Sequence, residues 1–178
     1  MATIMERFDI MFKGLKAGNH VFGFNLDNPF FEHFDDAELE GGAIDITAAM
    51  EKKENLLSFH FRYSGSLKVT CDRCLDIFDM PVVFESSLHV RFDEMTGSED
   101  IDVIFLDPNE HKLNLAGYFI ESVRLFMPLK RIHPAGRDGE PGCNREMLEK
   151  LDQYKTKENK PFSDPRWDSL KNIKPDRK

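Results

Sequence analysis

The residues best suited to chemistry are Cys71 and Cys74, in the stretch Thr70-Cys71-Asp72-Arg73-Cys74-Leu75 near the middle of the 178-residue chain. A C-x-x-C knuckle puts two sulfurs on one tight turn, a separation that suits a tetrahedral ion or a dithiol couple. Three readings stand side by side: half of a zinc site, a redox pair, or two small apolar residues closing a hairpin. No second knuckle follows, and the one remaining cysteine is Cys143.

A zinc site needs four ligands. Cys71 and Cys74 supply two, Cys143 a third, and His133, in the same loop as Cys143, is the natural fourth. A Cys3His set closes the coordination sphere to water, so such a site is structural and clamps the late loop to the rest of the fold. The alternative is that His133 is a solvated loop residue and Cys143 a buried thiol. A redox dithiol usually sits at a helix N-terminus, where the dipole lowers the thiol pKa. Here the pair follows a strand pattern, and Asp72 and Asp76 are expected to raise that pKa with only Arg73 opposing them. Other enzyme classes lack their signatures: there is no G-x-S-x-G, H-E-x-x-H, phosphate-binding glycine loop or G-x-G-x-x-G. No reaction can be named from these residues, and no small-molecule substrate is expected.

The elements that must position these residues are mostly strands. Phe8, Ile10 and Phe12 alternate in a short run, and His20 to Phe24 is a second strand candidate. Asn28-Pro29 reads as a helix start with Asn28 as cap. From Gly41 to Phe92 alternation dominates: Ile44, Ile46, Ala48 and Met50 share one face, as do Leu57, Phe59, Phe61 and Tyr63. Gly65 breaks that run before Leu67 and Val69 continue it, and Pro81 opens a long strand after the knuckle. Sequential alternating runs joined by short turns favour an antiparallel meander or partly open barrel. Ile101 to Leu106 is one more strand, and Asn114 can cap a helix from Leu115 to about Met127 that ends at Pro128. Leu115, Phe119, Val123 and Phe126 fall at helical spacing, so this helix is expected to lie across the apolar face of the sheet. The fold class is therefore α+β: one domain over residues 1–155, then a linker and short helix over 156–178. Residues 145–154 look helical, and Ser163-Asp164-Pro165 caps a last helix carrying Trp167, which either anchors that helix or serves as a docking handle for a partner.

Composition bounds the setting. Hydrophobic residues make up 40% of the chain, with sixteen Phe, which is globular. The apolar runs are too short to cross a bilayer, no secretory signal is visible near Met1, and three cysteines suit reduced thiols, so a soluble cytoplasmic protein is expected. Charge is uneven: residues 1–127 carry net −12, and residues 128–178 net +4. An acidic body with a mildly basic tail is poor for broad duplex binding but leaves a basic edge for RNA or a partner.

At Val69-Thr70-Cys71-Asp72-Arg73-Cys74-Leu75 the chain resembles the YceD family, the large-ribosomal-RNA-subunit accumulation proteins of bacteria with relatives in chloroplasts. Leu113-Asn114-Leu115, Met127-Pro128-Leu129-Lys130, Ile132-His133-Pro134 through Gly142-Cys143, and Ser163-Asp164-Pro165-Arg166-Trp167 follow in the family's order, so the resemblance spans roughly residues 41–173. Some relatives carry repeated knuckles in the later loop, which read as a zinc site; this chain keeps Cys143 there, with His133 as a substitute ligand. The resemblance implies a non-catalytic factor for large ribosomal subunit assembly that binds precursor ribosomal RNA or a ribosomal protein. Arg73, Lys130, Arg131, Arg137 and Arg145 are the candidates for RNA contact, because they flank the proposed clamp. Two alternatives are a zinc-stapled protein-interaction module and a C-x-x-C thiol oxidoreductase.

Overall fold

A computed structural model describes residues 4–34, 39–92, 103–135, 142–155 and Arg166. The chain forms two units, Met1–Asn144 and Arg145–Lys178. The first holds a 3-10 turn (Ile4–Phe8), strands β1 (Asp9–Ile10) and β2 (Gly18–Leu26), helix α1 (Asn28–Phe34), strands β3 (Gly41–Lys52), β4 (Leu56–Thr70), β5 (Ile77–Phe92), β6 (Val103–Leu106) and β7 (Leu113–Asn114), and helix α2 (Ala116–Phe126). The second holds helix α3 (Arg145–Tyr154).

Strands β2 to β6 form an open five-stranded sheet in sequence order, and β1 pairs with β7 in a separate ribbon. The alternation read from sequence decides which face is inside: Ile44, Ile46, Ala48, Met50, Leu57, Phe59, Phe61 and Tyr63 are all buried on one side. Helix α2 lies over that side with Ala116, Phe119, Ile120 and Val123 turned inward. Phe119 is its central contact, with ring centroids 5.2 Å from Phe24, 5.4 Å from Phe61 and 6.1 Å from Phe8. Each such ring removed from water is worth about 1.5–3 kcal/mol, so this unit has a core of its own. The α+β reading, a mostly antiparallel open sheet packed by one main helix, holds.

Several local expectations change. Strand β6 pairs parallel to β5, His89 against Val103 through Phe92 against Leu106, so the sheet is not a pure meander. Strand β4 passes unbroken through Gly65, which is paired with Ile44. A Cβ there would collide with the Ala43 carbonyl oxygen and come within 2.8 Å of the Ile44 Cα, so Gly65 permits close pairing rather than ending the strand. Pro81 lies inside β5, opposite Ser66, not at its start. It is tolerated because β6 pairs only with residues 89–92 of β5, leaving Pro81 on a one-sided edge where no ladder donor is required. Phe8, Ile10 and Phe12 are all buried, but only Asp9–Ile10 is strand. Asn28 opens α1, yet its Oδ1 accepts from the Gly42 N–H at 3.0 Å and ties the helix to β3. The cap of α2 is Leu115, with no side-chain cap bond, and not Asn114 as expected. Asn114 lies one residue earlier in β7, where its Oδ1 accepts from the Ala116 N–H at 3.0 Å and its amide donates to Asp9 Oδ1 at 2.7 Å. Met127 is extended ahead of Pro128, where the helix ends.

In the second unit, α3 has no buried residue and carries an Arg145–Glu149 ion pair at 3.4 Å one turn apart. Trp167 and the helix expected around it lie outside the described residues, as does the linker from residue 156.

Candidate metal centre

The knuckle is the loop of the β4–β5 hairpin. Thr70 and Ile77 are paired, which leaves residues 71–76 to make the turn. Two backbone bonds close it: Cys71 N–H to Asp76 O at 2.9 Å, and Leu75 N–H to Cys71 O at 2.9 Å. Leu75 sits at φ 63°, and it is the one non-glycine residue with positive φ among those described. Left-handed backbone costs an L-residue about 1–2 kcal/mol, so the turn is strained at the residue after the second cysteine.

Beyond α2 and Pro128, the chain turns back over this loop. Asp72 and Arg131 bond in both directions: Asp72 N–H donates to Arg131 O at 2.8 Å, and Arg131 N–H donates to Asp72 Oδ2 at 2.6 Å. The Arg131 guanidinium reaches the same carboxylate, with Nη2 3.5 Å from Oδ1. Two residues on, the His133 ring packs on Phe78 with centroids 4.5 Å apart. This brings His133 Nδ1 to 3.4 Å from Cys74 Sγ, while Cys143 Sγ lies 3.8 Å from Cys71 Sγ.

Four donors thus converge. The ligand atoms of Cys71, Cys74, His133 and Cys143 all lie within 4.8 Å of one another. A tetrahedral zinc ion with bonds of about 2.3 Å to sulfur and 2.0–2.1 Å to nitrogen separates S from S by about 3.8 Å and S from N by about 3.5 Å. The observed 3.8 Å and 3.4 Å match those edges. At 3.8 Å the two sulfurs are not bonded to each other, since a disulfide measures about 2.05 Å. All three thiols are buried and His133 is half-buried. The donor set fits zinc with every position filled, so the chemistry open to it is structural: an ion here would staple the late loop to the hairpin and leave no position for water.

The electrostatics of Cys71 differ from the sequence expectation. Burial pushes its thiol up, but the backbone N–H groups of Cys74 and Arg73, with His133 behind them, outweigh burial and bring it down to about 6. The Arg73 N–H lies 3.5 Å from the sulfur. Asp72, expected to oppose ionisation, is turned instead to Arg131. Burial pushes Cys143 up, and the neighbouring Cys71 and Cys74 push it further. Reactive dithiols are partly exposed, whereas Cys71 is 0% and Cys74 2% exposed.

The candidates for RNA contact are dispersed. Lys130 is exposed and Arg73 half-buried beside the centre. Arg131 is held by Asp72, and Arg145 lies in the second unit beside Glu149. Arg137 lies outside the described residues. Sequence reading missed Asp72 as the partner of Arg131, 59 residues away, and Phe78 as the support of His133, because nothing local marks contacts so distant in the chain.

An open sheet capped by one helix, with a Cys3His cluster bringing a hairpin and a later loop together, defines a small α+β domain with a candidate metal-binding cluster. Residues 59–174 match a family model described as large ribosomal RNA subunit accumulation protein YceD, and the chain belongs to that family. No curated protein and no solved structure matches the chain. The family's description concerns accumulation of the large ribosomal RNA. Among the described residues no helix is long and apolar enough to cross a membrane.

Proposed function

We propose that the protein is a non-catalytic cytoplasmic factor in large ribosomal subunit assembly, binding precursor ribosomal RNA or a large-subunit ribosomal protein through a surface that a zinc ion holds in shape. The observation that carries this reading is the convergence of Cys71, Cys74, His133 and Cys143 inside the family's matched region. Zinc supplies a cross-link when bound. The chain's own residues do the rest: the knuckle carries Arg73, and the returning loop carries an exposed Lys130 next in sequence to Arg131, which is bonded to Asp72. Phosphate oxygens are natural acceptors for both side chains. Arg137 and Arg145 extend the basic segment in sequence, and Trp167 is the candidate docking handle beyond them.

Gradient sedimentation of a deletion strain, with probing for large-subunit precursor RNA, tests the reading. Depleted large subunits and altered precursor levels, restored by the intact chain and not by a Cys143→Ser variant, are the expected result. Normal large subunits in the deletion strain overturn it. Capture with and without nuclease tells RNA from protein: a partner lost on nuclease treatment is RNA-tethered, and a resistant one is bound directly.

The thiol oxidoreductase reading is disfavoured by the burial of both knuckle sulfurs. The zinc-stapled interaction module differs from the favoured reading only in its partner, and the nuclease arm addresses it.

A further inference from the structure

Resting on the metal reading above, we propose that Asp72 and Gly142 are positioning residues that set the two late ligands in place before any ion arrives, so that the ion locks a pre-assembled site and does not fold the body. Three observations carry this.

The first is the reciprocal pair of Asp72 and Arg131. Its bonds of 2.8 and 2.6 Å involve no ligand atom, so they fasten the loop to the knuckle whether or not the sulfurs are coordinated. His133 follows Arg131 by two residues and is further oriented by Phe78, which fixes the ring plane against the sheet.

The second concerns Cys143. Gly142, the residue before it, is seated directly against the His133–Pro134 backbone. A Cβ at residue 142 would collide with the Pro134 carbonyl oxygen and come 3.2 Å from the His133 Cβ. A backbone carbonyl cannot swing aside as a side-chain tip can, so any larger residue pushes residues 142–143 away from the loop. The displacement falls on Cys143 Sγ, which must stay 3.8 Å from Cys71 Sγ for both to touch one ion. Gly142 has no positive φ to explain its presence. Close approach is what it supplies.

The third is that the body has a core independent of the centre. Phe8, Phe30, Phe61, Tyr63 and Phe119 are buried in one cluster to which none of the four ligands belongs. Loss of coordination therefore leaves the sheet and α2 packed, in contrast to small metal domains that unfold when stripped.

The experiment uses the full chain, tag-free, stripped of metal and reduced, titrated with Co2+ alone in competition with a chelator. Asp72→Ala and Gly142→Ala are compared with wild type, with Asp72→Asn as the conservative rescue. Gly117→Ala is the control, since a Cβ there meets nothing within 4 Å. The stripped variants are expected to keep the wild-type far-UV circular dichroism and a cooperative melt. Their Co2+ affinity falls by about ten- to a hundredfold, with a weakened thiolate-to-cobalt absorption band. Asp72→Asn, which still offers an oxygen to the Arg131 N–H, recovers most of that loss, and Gly117→Ala shows none. Variants that bind Co2+ as tightly as wild type overturn the proposal while leaving the metal centre standing. Stripped variants that have lost their folded spectrum also overturn it, because the residues then serve the fold and not the site. Failure of the wild type itself to bind Co2+ through thiolates overturns both this inference and the metal reading.

Discussion

Cys71 and Cys143 lie 72 residues apart in the chain, yet their sulfurs are 3.8 Å from each other in a buried site. That one relationship joins the β4–β5 hairpin to the end of the first unit and leaves Cys143 two residues before the second unit begins. An ion held by both sulfurs is a cross-link closing a long loop, and such links stabilise mainly by restricting the unfolded chain.

Cys143→Ser removes that link at its far end. The variant is expected to lose tight metal binding and about 2–4 kcal/mol of stability in the metal-loaded state, the range for a cross-link spanning a long loop. Urea denaturation of both proteins, each with and without chelator, checks this. The difference between them should vanish once the ion is removed.

Gly65 predicts a stability effect far from the centre. Gly65→Ala forces a methyl group into the Ala43 carbonyl and the Ile44 backbone of β3, so a loss of about 1–3 kcal/mol is expected. Gly117→Ala, on the open face of α2, is expected to gain about 0.5–1 kcal/mol through helix propensity alone. Denaturation midpoints of the two variants should move in opposite directions.

The positive φ of Leu75 gives a third test. Its side chain is 67% exposed and wins back little through packing, so Leu75→Gly should relieve left-handed strain and raise stability by up to about 1 kcal/mol. A fall in stability would mean that the leucine side chain is supporting the knuckle.

Tyr63 gives a pH dependence. Burial holds its hydroxyl above the ordinary value of 10.0, at about 12, although hydrogen bonds from Ser122 and Ser86 act the other way. The unfolded chain therefore loses this proton first as pH rises. The neutral, buried phenol contributes stability that is fully present below pH 10 and is lost between pH 10 and about 12. Melting temperatures of wild type should fall over that window more steeply than those of Tyr63→Phe, which has no proton to lose. Parallel curves would contradict the assignment.

Much of this architecture is readable from residue pattern. The inward face of β4, from Leu57 to Tyr63, follows from strict alternation, and α2 from its spacing and the stop at Pro128. The four ligand candidates could be named because cysteine and histidine are scarce and each type carries its chemistry with it. What could not be read was set by partners distant in the chain. The parallel pairing of β6 is set by its partner β5, and no local alternation encodes the direction of a partner. Gly65 and Pro81 looked like punctuation because glycine and proline usually are. Here the neighbouring strand gives one a close contact and the other a one-sided edge. Asp72 could be seen only as a negative charge near a thiol, since its bond to Arg131 exists only in three dimensions.

The most direct test is elemental analysis of tag-free protein purified without chelator, with thiols counted before and after denaturation. One zinc ion per chain, three thiols protected from alkylation until the ion is removed, and no zinc in Cys143→Ser are the expected results. Wild-type protein that is folded, fully reduced and free of metal, with Cys71, Cys74 and Cys143 alkylated at the rates of ordinary buried thiols, would contradict the metal centre.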